Sequence, residues 1–413
     1  MANTLLHLDI GGVKVPVIFE EDRSLPTLSL KVIFLDAGSI KDGDKSGISK
    51  LSFRLLNEGT KKLGSTKFAT LLDEKAIKLS AYSGFETAGI EFSCLKEYAD
   101  EAVKLTKELL KDPNYSEDTL SKIKLITASQ IAKREDDFDH VADAALKKEI
   151  FKGTPLENDS VGTKESVAAI SLADVKNFLA SNITLANSVV VIGGDIDKDE
   201  AFAYTKAILE GIAKGAKNEQ GQYFAAKSSS KEIKTKKKTE QAYIYFGAPA
   251  NIKAADKEAY KARLAGFILG SSGFGSRLME IIRVKNGLAY SAYGRFNLSK
   301  SHSYFSGHLQ TKPQNEEKAK ELVKKTIEEF VKDGVTQKEL DGAKNFILGS
   351  EPLRAETLSQ RLSRSFNEFY LGQKLGYHQE ELELIKNTTL KELNDFIKAH
   401  PEITNLTVSV VTK

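Results

Sequence analysis

The chain repeats itself. "LSAYSGF" (79–85) and "YSAYGRF" (290–296) share Ser-Ala-Tyr, and each precedes a second strand-like stretch, "GIEFSCL" (89–95) and "SYFSGHL" (303–309). Each pair leads into a run with near-helical spacing of apolar residues. The first, Glu97 to Leu110, carries Ala102, Val103, Leu105, Leu109 and Leu110. The second, Glu316 to Phe330, carries Ala319, Leu322, Val323, Thr326, Ile327 and Phe330. "KDPNYSEDTLSKIK" (111–124) is then echoed by "KDGVTQKELDGAK" (332–344), with Ser116 and Thr336 placed as helix N-caps. A strand after an Asn comes late in each half, "NSVVVIGGD" (187–195) and "NLTVSVVT" (405–412). Any α+β chain shows a few strand–strand–helix coincidences, but here at least five elements recur in one order, which marks an internal duplication.

The repeat predicts two homologous domains of about 200 residues, an ordinary domain size. Strand pairs that read as hairpins, followed by blocks of helix, predict an α+β fold in which each domain is an antiparallel sheet with helices packed on one face. The expected boundaries are 1–213 and 241–413. Between them, 214–240 is rich in Lys, Ser and Gly with little periodicity and reads as an exposed linker whose tail enters the next strand.

The length of 413 residues also asks for more than one core. The net charge of +3 is too small to argue for nucleic acid, and the run Lys236, Lys237, Lys238 has no aromatic or Arg-rich companion, so it reads as solvated. A single cysteine, Cys94, excludes an internal disulfide and a cysteine-based zinc site. It reads as a small core residue. The six histidines include no pair at the i, i+4 spacing of a helical metal site. His302 and His308 read as a surface pair on one strand. No run of 18 apolar residues exists, so no membrane span is expected. The N-terminal stretch reads as strand rather than signal peptide, which suits a soluble chain of the cytoplasm or, with an export signal removed, the periplasm.

"GISKLSFRLLNEGT" (47–60) reads as a helix entering a turn. Together with "LDEKAIKLSAYSGFETAGIEF" (72–92), "EDDFDHVADAALKKEIFKGTPL" (135–156), "VGTKESVAAISLADVKNFL" (161–179) and "GSSGFGSRLMEIIRVKNGLAYSAYGRF" (270–296), it resembles the pitrilysin or insulinase-type zinc peptidases over essentially the whole chain. The family's H-x-x-E-H helix places two His four apart on one metal, with a Glu as general base. By the resemblance, the first His falls on Lys50, the Glu on Phe53, the second His on Arg54, and the third ligand, a Glu, on Gln130. Ammonium and guanidinium groups offer no usable lone pair, and a phenyl ring takes no proton. The resemblance therefore implies an abandoned zinc site. A replacement built from His140, Asp136, Asp137 or Asp139 is the weaker reading, because "EDDFDH" suits a helix N-terminus.

In "RVKNGLAY", Arg283 and Tyr290 match an Arg/Tyr pair that non-zinc subunits of the family extend to substrate in the zinc subunit's cleft. A guanidinium and a phenol aimed at a developing oxyanion would stabilise it. Without the family frame the two are a helix-end cation and a half-buried strand residue. "GSSGFGS" lacks the ending of a phosphate loop and reads as a turn between helices, with a weaker role in substrate contact. Leu79, Ser80, Ala81 and Tyr82 match the family's edge strand, where an extended peptide adds by backbone hydrogen bonds.

The expectation is a subunit of a two-component metallopeptidase, with no cofactor of its own. Zinc would sit in a homologous partner chain, with a homodimer as the other arrangement and a peptide as substrate. The alternatives are an inert assembly homologue and, less in keeping with the residues, a stand-alone enzyme with a rebuilt site.

Overall fold

The computed structural model describes residues 3–216 and 221–413. The chain opens as a hairpin in which β1 (Thr4–Ile10) and β2 (Val13–Glu21) pair Ile10 with Val13 across Gly11-Gly12. Both glycines have positive φ, 59° and 87°, as the tight turns that match strand twist require. Strands β3 (Thr27–Leu35), β4 (Lys78–Ser83), β5 (Thr87–Leu95) and β6 (Ser188–Gly194) complete a sheet in the order β1-β2-β6-β3-β5-β4. It is antiparallel except for the pair β2–β6.

The helices of this half are α1 (Ile48–Leu56), α2 (Gly64–Asp73), α3 (Ala99–Lys111), α4 (Glu117–Glu135), α5 (Phe138–Ile150), α6 (Lys164–Ala169), α7 (Leu172–Asn182) and α8 (Lys198–Leu209). All but α5 pack residues into the main core on one face of the sheet, around Phe34, Leu51, Phe53, Phe92 and Leu105.

The second half repeats the plan. Strands β7 (Phe224–Ala225), β8 (Glu232–Lys236), β9 (Ala242–Pro249), β10 (Ala289–Leu298), β11 (His302–Thr311) and β12 (Thr407–Thr412) form a sheet ordered β10-β11-β9-β12-β8, with β7 on β11. Its helices are α9 (Ala259–Gly266), α10 (Arg277–Met279), α11 (Glu316–Asp333), α12 (Gln337–Gly349), α13 (Leu358–Tyr370), α14 (Tyr377–Asn387) and α15 (Leu390–Ala399). Ser116 and Thr336 cap α4 and α12 by accepting from Thr119 N and Glu339 N.

Two features depart from the sequence expectation. The stretch read as a linker, of which 217–220 lie outside the described residues, donates β7 and β8 to the second sheet. Because β8 runs parallel to β12 as β2 does to β6, it is the repeat's counterpart of β2. Its sequence, Glu-Ile-Lys-Thr-Lys, hides it: an edge strand needs few apolar residues, and lysines there guard against further pairing. The second departure is that the outer face of each sheet is met by a helix of the opposite half. Helix α5 packs Leu146 and Ile150 onto the second sheet with Phe151, Tyr304 and Ala226. Helix α13 packs Leu362 onto Ile18, Ile33, Val189 and Val191 of the first. Arg361 of α13 also bonds Glu20 Oε1 at 2.6 Å and Asp22 Oδ2 at 2.5 Å. Among the described residues no helix is long and apolar enough to cross a membrane.

Candidate functional site

Helix α1 starts at Gly47, whose φ of 93° and a neighbour, Val161 O, only 2.6 Å from where a Cβ would stand, exclude a side chain. Asp42 accepts from Gly47 N at 2.7 Å and Ser49 N at 3.0 Å, which satisfies two of the helix's free N–H groups. Burial pushes the Asp42 carboxyl up to about 7 against the pull of those bonds. The apolar face of α1 buries Ile48, Leu51, Leu55, Leu56 and Phe53. The Phe53 ring has no exposed surface and lies 6.5 Å from the Phe34 ring.

Arg54 donates to Thr127 Oγ1 at 2.9 Å and to Gln130 Oε1 at 2.7 Å, so the structure joins two of the four positions that the resemblance assigns to the zinc site. Lys50 donates to Ser160 Oγ at 3.3 Å. Burial, then the nearby Arg134, lowers its pKa. Beside it, Asp159 bonds Arg134 at 2.5 Å and His140 at 2.8 Å. Burial raises the Asp159 carboxyl, but the Val161 N–H and Arg134 outweigh it and hold the group below its usual range.

These residues do not fit zinc. Two cations and a phenyl ring occupy three positions, and the one amide oxygen already accepts from Arg54. Two of the three alternative acids are engaged too. Asp137 caps α5, and Asp139 accepts from Tyr245 Oη at 3.1 Å and Gln310 Nε2 at 2.6 Å. Among the described residues, Glu232, Glu316 and Glu317 come close enough to share a cation, and the Lys234 and Lys320 ammonium groups supply it.

Leu79, Ser80, Ala81 and Tyr82 do lie on the edge strand β4. The side chain of Asn57, at the end of α1, holds both backbone groups of Ala81, accepting from its N–H at 2.7 Å and donating to its C=O at 2.9 Å. A peptide that needed those groups of Ala81 would first have to displace Asn57.

Arg283 and Tyr290 come together in the second half. Arg283 sits in a π-helical turn, Glu280–Lys285, and Tyr290 in a stretch where the β10–β11 register shifts between Ala289 and Ala292. Both irregularities are common at functional sites. The bulge turns Tyr290 outward, 82% exposed. The Arg283 guanidinium lies 4.4 Å from its ring and 4.7 Å from the ring of Phe274, itself 70% exposed. Arg283 forms no ion pair among the described residues. Phe274 belongs to the glycine-rich turn, which begins at Gly270 with close backbone contact to Gly294 and ends where Ser276 caps α10.

Phe274 was not legible in the sequence, and neither was a cavity of about 570 Å³ between α5 and the second sheet. Asp137, Asp139 and Asp143 line it with Tyr245, Tyr293 and His308. His308 is half-buried here. Its ring stacks on Tyr245 at 5.1 Å, while His302 packs against Phe85 and Phe151, and burial lowers the pKa of both.

Comparison with known proteins gives the family and the fold. Residues 17–164 match the family model for insulinase, peptidase family M16, and residues 169–347 match that for the peptidase M16 inactive domain. The chain belongs to the peptidase M16 family. One M16 relative, the "Non-peptidase homolog YmxG" of Helicobacter pylori, is 46% identical over 411 residues, covering 100% of this chain and 95% of its own. The crystal structure of a peptidase M16 inactive domain from Pseudomonas fluorescens superposes with a TM-score of 0.90 at 24% identity, over 99% of this chain and 98% of that one. A protease from Helicobacter pylori superposes with a TM-score of 0.87 at 17% identity, over all of both chains. At these identities the two structures establish the shared M16 fold alone.

Proposed function

We propose that this M16 chain does not cleave peptides by itself and acts as the non-zinc subunit beside a zinc-bearing homologous chain, extending Arg283 and Tyr290 to a peptide held between them. One observation carries the reading: a half-buried guanidinium without an acidic partner among the described residues, held against two exposed aromatic rings on a π turn and a bulge. The stacking limits the side-chain freedom that a long cation would lose on meeting a carbonyl. The name of the 46% identical relative and the residues of α1 support the absence of activity in the chain alone. The rival reading, an inert assembly subunit, leaves an unpaired, aromatic-clasped arginine without a role.

The test is a mixture with a zinc-bearing M16 homologue, with assembly followed by size exclusion. Tyr290→Phe removes a hydroxyl and almost no volume. It is expected to leave assembly intact and to lower turnover by about a hundred- to a thousand-fold, the usual cost of one oxyanion donor. Arg283→Ala is expected to weaken substrate binding as well. Unchanged turnover in an assembled Tyr290→Phe complex would favour the inert subunit.

A further inference from the structure

A cleft of about 540 Å³ opens on the first half where the ends of α3 and α7 meet the turn after α8. It lies outside every site described above. Its walls are apolar, from Leu110, Leu179, Ile183, Ile208 and Ile212, with the Tyr115 ring among them. Its rim is cationic. Lys107 is paired with Glu210 at 2.9 Å, which neutralises the one carboxylate there. Lys111 and Lys176 are exposed and form no ion pair among the described residues, and Lys176 Nζ sits 5.9 Å from the Tyr115 ring centre. The Tyr115 hydroxyl has no hydrogen-bond partner among the described residues, and burial raises its pKa, so it remains a donor at neutral pH. A half-buried apolar cavity of this size, with a few convergent polar groups, is the usual form of a small-molecule site. Among the lining side chains, the free polar groups are the Tyr115 hydroxyl and the Lys111 and Lys176 ammonium groups, and the two cations outweigh the helix-end carbonyls of α3 and α7.

We propose that this cleft binds a medium-chain aliphatic carboxylic acid, its chain against Leu110, Leu179, Ile183 and Ile212 and its carboxylate held by Lys111, Lys176 and the Tyr115 hydroxyl. The cations select an anion, and the apolar walls select against small inorganic ones, since those would desolvate without covering apolar surface.

The test is calorimetric titration of the full chain with decanoate below its micelle-forming concentration, beside acetate and decyltrimethylammonium. The expected result is saturable one-site binding of decanoate, at least about tenfold tighter than either comparison, as one charge-assisted contact would give. Ala180→Trp, at an exposed position on the cleft wall, is expected to abolish binding. The double variant Lys111→Glu, Lys176→Glu is expected to weaken it about tenfold or more with the thermal midpoint unchanged. Absence of saturable decanoate binding, equal binding of the cationic amphiphile, or undiminished binding in the lysine double variant would overturn the proposal. The lysines are exposed, so that variant decides the matter even if the tryptophan variant misfolds.

Discussion

Phe53 is where an attempt to install zinc-peptidase chemistry on α1 would fail. A carboxylate placed there would be buried against Phe34 in the middle of the core, and the whole network of Arg54, Thr127 and Gln130 would have to be rebuilt around it. Phe53→Ala is expected to cost about 3–5 kcal/mol, as large-to-small changes at fully buried aromatic positions do. Lys50→Met is expected to leave stability equal or slightly higher, because a half-buried cation with no ion partner is replaced by an apolar chain of similar length. Denaturant midpoints of the two variants check both, and a Phe53→Ala cost below about 1 kcal/mol would mean that the ring is not part of the load-carrying core. That Lys50, Phe53 and Arg54 offer a zinc ion no ligand was legible, since residue type alone decides what can ligate. That Arg54 would close on Gln130 was not, because the contact joins two helices far apart in the chain. Phe274 stayed hidden for a similar reason: a glycine-rich turn gives no sign of which way its one aromatic points.

Among elements, α12 shows how charge and helix ends cooperate. Glu339 closes the capping box with Thr336 and also takes both bonds from Arg277, at 2.6 and 2.8 Å. Burial raises its carboxyl, but the Arg277 bonds and the Thr336 N–H and hydroxyl outweigh that and bring it to about 2. A carboxyl with a depressed folded pKa adds stability above its ordinary value near 4.5, and that contribution is lost as pH falls from there toward 2. Glu339→Gln is expected to lower stability at neutral pH by about 1 kcal/mol and to flatten the acid limb of the stability curve below pH 4.5. Thermal midpoints of both proteins across that range check it, and parallel acid limbs would refute it. Elements with strong local patterns were legible: the hairpin strands β4–β5 and β10–β11, the amphipathic α3 and α11, and the caps at Ser116 and Thr336 all lie within a few residues of their expected places. β8 was not, since its alternation covers only five residues with a single large apolar side chain, Ile233, and is lost among the flanking lysines and serines.

At the scale of the whole molecule, the exchange of α5 and α13 ties the halves together. Arg361 is its polar clamp, bonded to Glu20, which is only 3% exposed. Arg361→Met is expected to cost about 3–5 kcal/mol, because it leaves a buried carboxylate without its cation, and Glu20→Leu in the same chain is expected to recover much of that loss. Denaturation of the single and double variants checks the coupling. An unchanged midpoint in Arg361→Met would show the pair to be incidental. The repeat made two domains legible, but not this trade, since nothing in a helix's sequence names the sheet it will cover. The exchange also decides where motion can occur. Prising the halves apart like a hinge would strip α5 from one sheet and α13 from the other, baring Ile18, Val189, Leu146 and Phe151 to water. The chain is thus a single stiff jaw, and on the function proposed above any opening and closing around a peptide would fall along the seam between it and its partner chain.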